Sequence, residues 1–89
     1  MDATIRALAD PTRREILRLL RQRDLAAGDI ASRFDMTAPT VSHHLSVLKE
    51  AGLVQAERNG RSVVYSIDTT VIQEFLGEML RFFGKGGER

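Results

Sequence analysis

The stretch that decides the fold runs from Thr37 to Gly52 and reads T-A-P-T-V-S-H-H-L-S-V-L-K-E-A-G. Thr37 is of a residue type that caps helices, Pro39 fits a first helical turn, and Gly52 can end a helix in the left-handed conformation. The stretch therefore predicts one helix. A narrow apolar seam at helical spacing would pack inward, and it consists of Val41, Leu45 and Leu48.

The opposite face of this helix lacks the Lys and Glu pairs that commonly support a solvated helix. It presents small hydroxyls and an imidazole, on the residues Pro39, Ser42, His43, Ser46 and Glu50. A face with few long side chains suits close approach to another surface. With a shorter helix before it and a hairpin after it, the helix is predicted to read the major groove of DNA.

The segment from Asp24 to Phe34, D-L-A-A-G-D-I-A-S-R-F, is predicted to be that shorter helix. Ile30, Ala31 and Phe34 recur at helical spacing, and Asp29 lies early, where negative charge is favoured. A short D-M-T connection leads into the next helix, so the pair is predicted to form a helix-turn-helix unit.

Two further helices are predicted upstream. Residues 2 to 9 place Ile5 and Leu8 on one side of a short helix. Asp10 and Pro11 then give a strong start signal for a second helix, which we expect to run to about Arg23.

Beyond Gly52 the apolar residues alternate, which predicts a hairpin, or wing, around Asn59-Gly60. Both turn residues would then need a positive φ. Arg58 and Arg61 flank the turn and are expected to lie opposite each other, where like charges repel. A phosphate held between the two arginines would compensate; Glu57 and water are the alternative.

The last predicted helix, residues 71 to 83, carries more apolar side chains than one small core can cover. Large exposed apolar patches mark partner surfaces, and a chain of this size buries only about 60 to 65% of its unfolded surface. We therefore expect a homodimer paired through the first and last helices. The expected interface residues are Ile5, Leu8, Val71, Ile72, Phe75, Leu76, Met79, Phe82 and Phe83. Residues 1–84 are predicted to form a single domain, and 85–89 a flexible tail.

The composition narrows the functional classes. The 89 residues include no cysteine, which excludes disulfides, thiolate metal sites and a cysteine nucleophile. With no apolar run for a membrane span and no leader, the chain is expected in the cytoplasm. The net charge is +1, so DNA affinity must depend on where charges lie. The basic face of the second helix, Arg14, Arg18 and Arg21, is interpreted as solvated, with a DNA contact as the alternative.

Several motifs occur together in a specific order. A-L-A-D-P-T-R-R-E-I-L from Ala7, D-I-A, P-T-V-S-H-H-L, L-K-E-A-G-L-V and the Asn-Gly wing resemble the ArsR family of winged helix-turn-helix repressors, most closely its compact SdpR-like autorepressor branch. The resemblance implies a mainly α fold with a small β-hairpin wing, in the order α-α-α-α-β-β-α. It also implies a homodimer that represses transcription, often of its own operon, from inverted-repeat operator DNA.

Many members of the family sense metals, but the resemblance implies no metal site here. Ala26 and Gly28 stand where arsenic sensors carry a Cys-x-Cys run. Zinc sensors place His and carboxylate ligands on the last helix, which here offers Glu74 and Glu78 without an imidazole. The two histidines are adjacent and point about 100° apart in a helix, so they cannot share an ion. We expect neither a metal nor another cofactor.

The expected DNA contacts divide into two groups. Base edges would be read by the first turns of the long helix, through Thr40, Ser42, His43 and Ser46, with His43 the leading candidate and Val47 near enough for a thymine methyl. Phosphates would be bound by Thr37, Lys49, Arg58, Asn59 and Arg61. His44, at the edge of the seam, is interpreted as a packing or phosphate residue.

Two other classes of function serve as alternatives. An enzyme is disfavoured because Ser42 and His43 diverge on a helix, and no Gly-rich phosphate loop or recognisable acid pair is present. A winged-helix module that binds only a protein, through its apolar last helix, would not need Arg58, Arg61 or the Ser-His face. A regulatory partner protein is compatible with a repressor.

Overall fold

The computed structural model describes residues 2–84, and all statements about structure refer to them. The helices are α1 (Asp2–Leu8), α2 (Pro11–Gln22), α3 (Ala27–Phe34), α4 (Ala38–Glu50) and α5 (Thr70–Met79), which continues as a π-helical turn (Leu80–Gly84). The strands are β1 (Leu25–Ala26), β2 (Val54–Asn59) and β3 (Ser62–Ile67). The predicted order of elements is confirmed, with one strand added.

Side-chain caps start the two helices for which they were predicted. The Asp10 carboxylate accepts the backbone N–H of Arg13 at 3.0 Å, and Pro11 occupies the first turn of α2. Thr37 Oγ1 accepts the backbone N–H of Thr40 at 3.4 Å at the start of α4. Each cap satisfies a backbone donor that the helix itself leaves unpaired.

Helix α4 ends in a Schellman motif, as its glycine suggested. The N–H of Leu53 donates to the carbonyl of Leu48 at 3.0 Å, and that of Gly52 to the carbonyl of Lys49 at 2.9 Å. Gly52 has a φ of +78°, and a Cβ placed there would lie 2.7 Å from Val71 Cγ2. This junction between α4, the hairpin and α5 therefore requires glycine.

The core lies where α2, α3 and the inner face of α4 meet the base of the hairpin. The predicted seam is confirmed, because Val41, Leu45 and Leu48 are at most 1% exposed. The complete cluster is Ala7, Ile16, Leu20, Leu25, Ile30, Val41, Leu45, Leu48, Ala51, Leu53 and Val54. Each large aliphatic side chain buried in this way stabilises the fold by about 1.5 to 3 kcal/mol.

The prediction that the third helix begins near Asp24 is wrong. Leu25 and Ala26 form a short strand antiparallel to β3, opposite Tyr65 and Val64, and the helix begins at Ala27. The sheet order is thus β1-β3-β2. Pairing with β3 gives these two residues backbone partners while burying Leu25, and it overrides their local helical preference.

The predicted turn of the hairpin is displaced by one residue. Asn59 pairs with Ser62 and Arg58 with Val63, so the turn residues are Gly60 and Arg61. Gly60 alone has a positive φ, +65°, as in a type II′ turn. The expected pairing of Arg58 with Arg61 is therefore wrong. The observed register needs the left-handed conformation only at glycine and avoids two like charges in direct opposition.

The segment before α5 is anchored by Asp68, whose carboxylate accepts Gln55 Nε2 at 2.6 Å and the N–H of Thr70 at 3.0 Å. The hydrogen bond from Gln55, followed by those from Thr70, holds the pKa of Asp68 below its usual value. The tail predicted for residues 85–89 lies outside the described residues. Within residues 2–84, no helix combines the length and apolar character needed to cross a membrane.

Candidate nucleic-acid interface

The face of α4 opposite the core is exposed from end to end, as predicted. The exposed candidates on and next to this helix are Thr37, Thr40, Ser42, His43, Ser46 and Lys49. Val47 is half-buried beside them. Because the aliphatic seam holds the helix from behind, these small polar groups are presented on a rigid element.

The start of α4 carries a pair of linked hydroxyls. Thr37 Oγ1 lies 2.9 Å from Thr40 Oγ1 while it also caps the N–H of Thr40. One hydroxyl donates its hydrogen to the other, so the hydrogen of the second hydroxyl remains available to an outside acceptor. The positive end of the helix dipole lies at the same place, which favours an anion such as a phosphate.

The two histidines of α4 have different surroundings. His43 is exposed, whereas the side chain of His44 is only 14% exposed. His44 Nδ1 lies 3.2 Å from Arg13 Nη1 and 3.9 Å from Asp10 Oδ2. His44 is therefore a packing residue, one of the two roles predicted for it, and His43 is the imidazole that faces outward.

The tip of the hairpin carries positive charge. Arg58, Asn59 and Arg61 are all exposed. Within residues 2–84, neither arginine forms a salt bridge. Their charges are therefore available to an external anion.

The basic face of α2 is partly engaged within the chain. Arg18 forms an ion pair with Glu15, and Arg14 Nη1 donates to the carbonyl of Leu8 at 2.7 Å. All three arginines are exposed, and the interpretation of a solvated face stays a prediction.

The predicted dimer surface contains residues of two kinds. Leu8, Val71, Ile72, Phe75 and Met79 are half-buried. Ile5, Leu76, Phe82 and Phe83 are exposed, by 47 to 75%, and Leu80, which the prediction omitted, is 60% exposed. Leu80 follows Leu76 by one helical turn, a spacing that could have identified it.

The two glutamates of α5 lie along an open cleft. Glu74 and Glu78 line an open cleft of about 370 Å³ between α1 and α5, together with Thr4, Val71 and Phe75. No group of three or more His, Cys, Asp or Glu suited to a metal ion occurs in the described part of the chain.

Comparison with known proteins places the chain in a family. Residues 10–56 match the family described as "Bacterial regulatory protein, arsR family". The chain is 45% identical to the transcriptional repressor SdpR of Bacillus subtilis over 86 residues, covering 97% of this chain and 96% of SdpR.

Solved structures agree with the winged helix-turn-helix fold. An ArsR-like transcriptional regulator from Rhodococcus sp. RHA1 has a TM-score of 0.90 at 27% identity, covering 99% of this chain and 81% of that one. The homodimeric winged helix-turn-helix DNA-binding domain Mb0332 of Mycobacterium bovis has a TM-score of 0.75 at 35% identity, covering 89% of this chain and 74% of that one. The predicted fold is confirmed, and the chain belongs to the ArsR family of bacterial regulatory proteins as a DNA-binding transcriptional regulator, not an enzyme.

Proposed function

We propose that this protein is a homodimeric repressor that binds an inverted-repeat operator, including that of its own operon, with one α4 in each half-site. The observation that carries the proposal is the division of α4 into a buried aliphatic seam and an exposed face of small polar groups. The similarity to SdpR, a named repressor, over nearly the whole chain supports repression.

The outward face of α4 would read the bases. A neutral imidazole offers one donor and one acceptor, so His43 can contact a purine edge in the major groove. The hydroxyls of Thr40, Ser42 and Ser46 adapt to donors and acceptors alike. Val47 would contact a thymine methyl at the edge of this face.

The phosphate contacts would surround this face. Thr37 would act with the amino end of α4, and Lys49 near its other end. Arg58, Asn59 and Arg61 would contact phosphates from the wing. Because Arg58 lies in a strand and Arg61 in the turn, we propose that each arginine binds its own phosphate.

The protomers would pair through α1, α5 and the π-helical turn. Apolar side chains more than half exposed at Leu76, Leu80, Phe82 and Phe83 are costly in water and are covered when two copies meet. The remaining members of the proposed interface are Ile5, Leu8, Val71, Ile72, Phe75 and Met79. The homodimeric state of the similar Mb0332 domain supports this pairing. Two copies also double the phosphate contacts, which offsets the low net charge.

A cytoplasmic location follows from this function, since the operator lies on bacterial DNA. We propose no metal or cofactor as the inducer. A partner protein that covers the apolar α5 surface would relieve repression by separating the protomers, and in sedimentation a complex of one protomer with the partner would then replace the homodimer. A winged-helix module that binds only protein is not favoured, since family membership assigns DNA binding.

Selection of bound duplexes from a random pool tests the proposed function. We expect an inverted repeat with half-sites about 34 to 36 Å apart, one turn of B-DNA. His43→Ala should weaken cognate binding by roughly 10- to 100-fold and leave non-specific binding unchanged. Gln22→Ala, at the exposed end of α2, is the matched control. Enrichment of no sequence at low salt would contradict the proposal.

A further inference from the structure

Arg13 connects three helices through one side chain. From α2, its Nε donates to the carbonyl of Ala7 at 2.9 Å and its Nη2 to the carbonyl of Arg6 at 3.0 Å. Its Nη1 lies 3.2 Å from Nδ1 of His44, near the middle of α4. The guanidinium thus binds the end of α1 and the recognition helix at the same time.

The chemistry of arginine fixes the direction of the contact with α4. A guanidinium can only donate, so in this contact His44 Nδ1 accepts and the ring hydrogen lies on Nε2. The Asp10 carboxylate lies 3.9 Å from the same Nδ1, too far for a hydrogen bond. It is bound instead by the backbone N–H of Arg13 at 3.0 Å. We call Arg13, His44 and Asp10, with the carbonyls of Arg6 and Ala7, the Arg13 bridge.

The bridge suits arginine and no other residue type. The last carbonyls of α1 have no partner within their own helix and form the negative end of its dipole, which favours a cation. Three donors in one rigid fork can bind two of these carbonyls and the imidazole together, whereas the ammonium of lysine is a single point. With the His44 side chain 14% exposed, water competes only weakly for this contact.

We infer that Arg13 is a positioning residue for DNA recognition. Through His44 it fixes the orientation of α4 relative to α1, and in the dimer it thereby fixes the separation of the two recognition helices. The inference rests on the proposed function, because it takes α1 as part of the dimer interface and α4 as the reading helix. It requires no contact between DNA and either Arg13 or His44.

Loss of the bridge should weaken binding to a complete operator more than binding to a single half-site. Each α4 keeps its exposed face, so one half-site can still be bound. Simultaneous binding of both half-sites depends on a fixed separation, because the second contact is made at a high effective concentration only when the geometry matches. The expected result is a selective loss of affinity for the complete operator.

Paired substitutions test the bridge. Arg13→Lys keeps the charge but not the fork, and His44→Leu removes the acceptor. Each substitution should weaken binding to the complete inverted repeat at least about tenfold, while the affinity for a single half-site changes less than about twofold. Each should also broaden the range of half-site spacings that the protein selects. His44→Asn keeps an acceptor near the position of Nδ1 and should retain most of the wild-type affinity. The double variant Arg13→Lys/His44→Leu should bind about as well as either single variant, since both break one interaction.

The measurements are dissociation constants for the complete repeat and for a single half-site, with sedimentation and thermal unfolding of every variant. Equal weakening on both duplexes, or no weakening on either, would overturn the positioning role. If Arg13→Lys does not fold, the comparison of His44→Asn with His44→Leu decides the question. Failure of the wild-type protein to dimerise or to bind any inverted repeat would instead overturn the proposed function, and the inference with it.

Discussion

At the scale of the residue, Gly52 is where the recognition helix, the hairpin and α5 meet. Its positive φ ends α4, and the side chain of Val71 occupies the space beside its Cα. A residue with a Cβ would meet both a strained backbone and a close contact. The position of α4 relative to α5 therefore depends on residue 52 having no side chain.

Gly52→Ala should destabilise the protein by about 2 to 4 kcal/mol, from left-handed strain together with overpacking. Gly28→Ala is the control, because Gly28 lies in α3 and a Cβ there has no neighbour within 4 Å. That change should stabilise the protein by about 0.4 to 1 kcal/mol. Urea unfolding measures both. A loss of less than about 1 kcal/mol for Gly52→Ala would show that Val71 can move away.

Asp10 makes the start of α2 sensitive to acid. The backbone N–H of Arg13, and then the charge of its guanidinium, hold the pKa of Asp10 below its usual 3.8, although partial burial opposes them. A carboxyl whose pKa is lower in the folded state stabilises the fold above the unfolded pKa. That contribution is lost as pH falls through the folded pKa.

Asp10→Ala should lower the free energy of unfolding by about 1 kcal/mol at pH 7. The difference in stability between this variant and the wild type should shrink once Asp10 is protonated below its lowered pKa. Asp10→Asn keeps a cap, so it should be close to the wild type at neutral pH and lose less stability in acid. Urea midpoints across the acid range test this. Asp68, whose pKa is also lowered, leaves residual acid sensitivity in every variant. Identical acid profiles for the wild type and Asp10→Asn would assign that sensitivity elsewhere.

At the scale of the element, the turn of the wing lies one residue from its predicted position, and this changes how the two arginines are expected to bind phosphate. Two arginines in direct opposition would share one phosphate. Placed in a strand and in the turn, Arg58 and Arg61 are expected to contact separate phosphates.

Arg58→Ala and Arg61→Ala should each weaken binding to all DNA sequences similarly and reduce the salt slope by about one unit per protomer. The double variant should lose both contributions to the salt slope. If the two arginines shared one phosphate, the second substitution would have almost no further effect. Arg23→Ala, at the exposed end of α2, is the control. Fluorescence anisotropy over a salt series measures the slopes. Unchanged binding in both single variants would exclude a phosphate contact by the wing.

Local signals explain which elements could be predicted. Helix α4 was predictable because Thr37, Pro39 and Gly52 act within a turn of the residues they cap. The strand β1 was not, because its partners on β3 lie far along the chain. The turn was misplaced because an Asn-Gly pair fits a two-residue turn in more than one register.

Of the candidate site, the exposed face of α4 was predictable from the sequence and the Arg13 bridge was not. The spacing of Val41, Leu45 and Leu48 determined which face of α4 would be exposed. The Arg13 bridge left no pattern in the sequence, because nothing local distinguishes Arg13 from Arg14 and its imidazole partner lies 31 residues away.

At the scale of the whole molecule, the apolar surface of α5 and its π-helical turn sets the expected assembly. If two copies bury it, folding and association are linked, so the unfolding midpoint should rise with protein concentration. Dilution series monitored by circular dichroism would reveal this dependence.

Leu76→Glu and Leu80→Glu should shift the protein toward monomers, because each would place an unpaired charge in the interface. Both side chains are more than half exposed in the single chain, so the fold itself should be preserved. Gln73→Glu, exposed on the same helix, is the matched control. Sedimentation gives the mass. A dimer that survives both leucine substitutions would place the interface on another surface.

The brevity of β1 has a mechanical consequence for the hairpin. β1 pairs with β3 only at Tyr65 and Val64, so the root of the wing is three strands wide and its outer part, toward Ser62, only two. We therefore expect the root to be stiffer than the tip, which would let the wing follow local curvature of a bound duplex without disturbing the core. Slow amide exchange at Tyr65 with rapid exchange at Ser62 would be its signature.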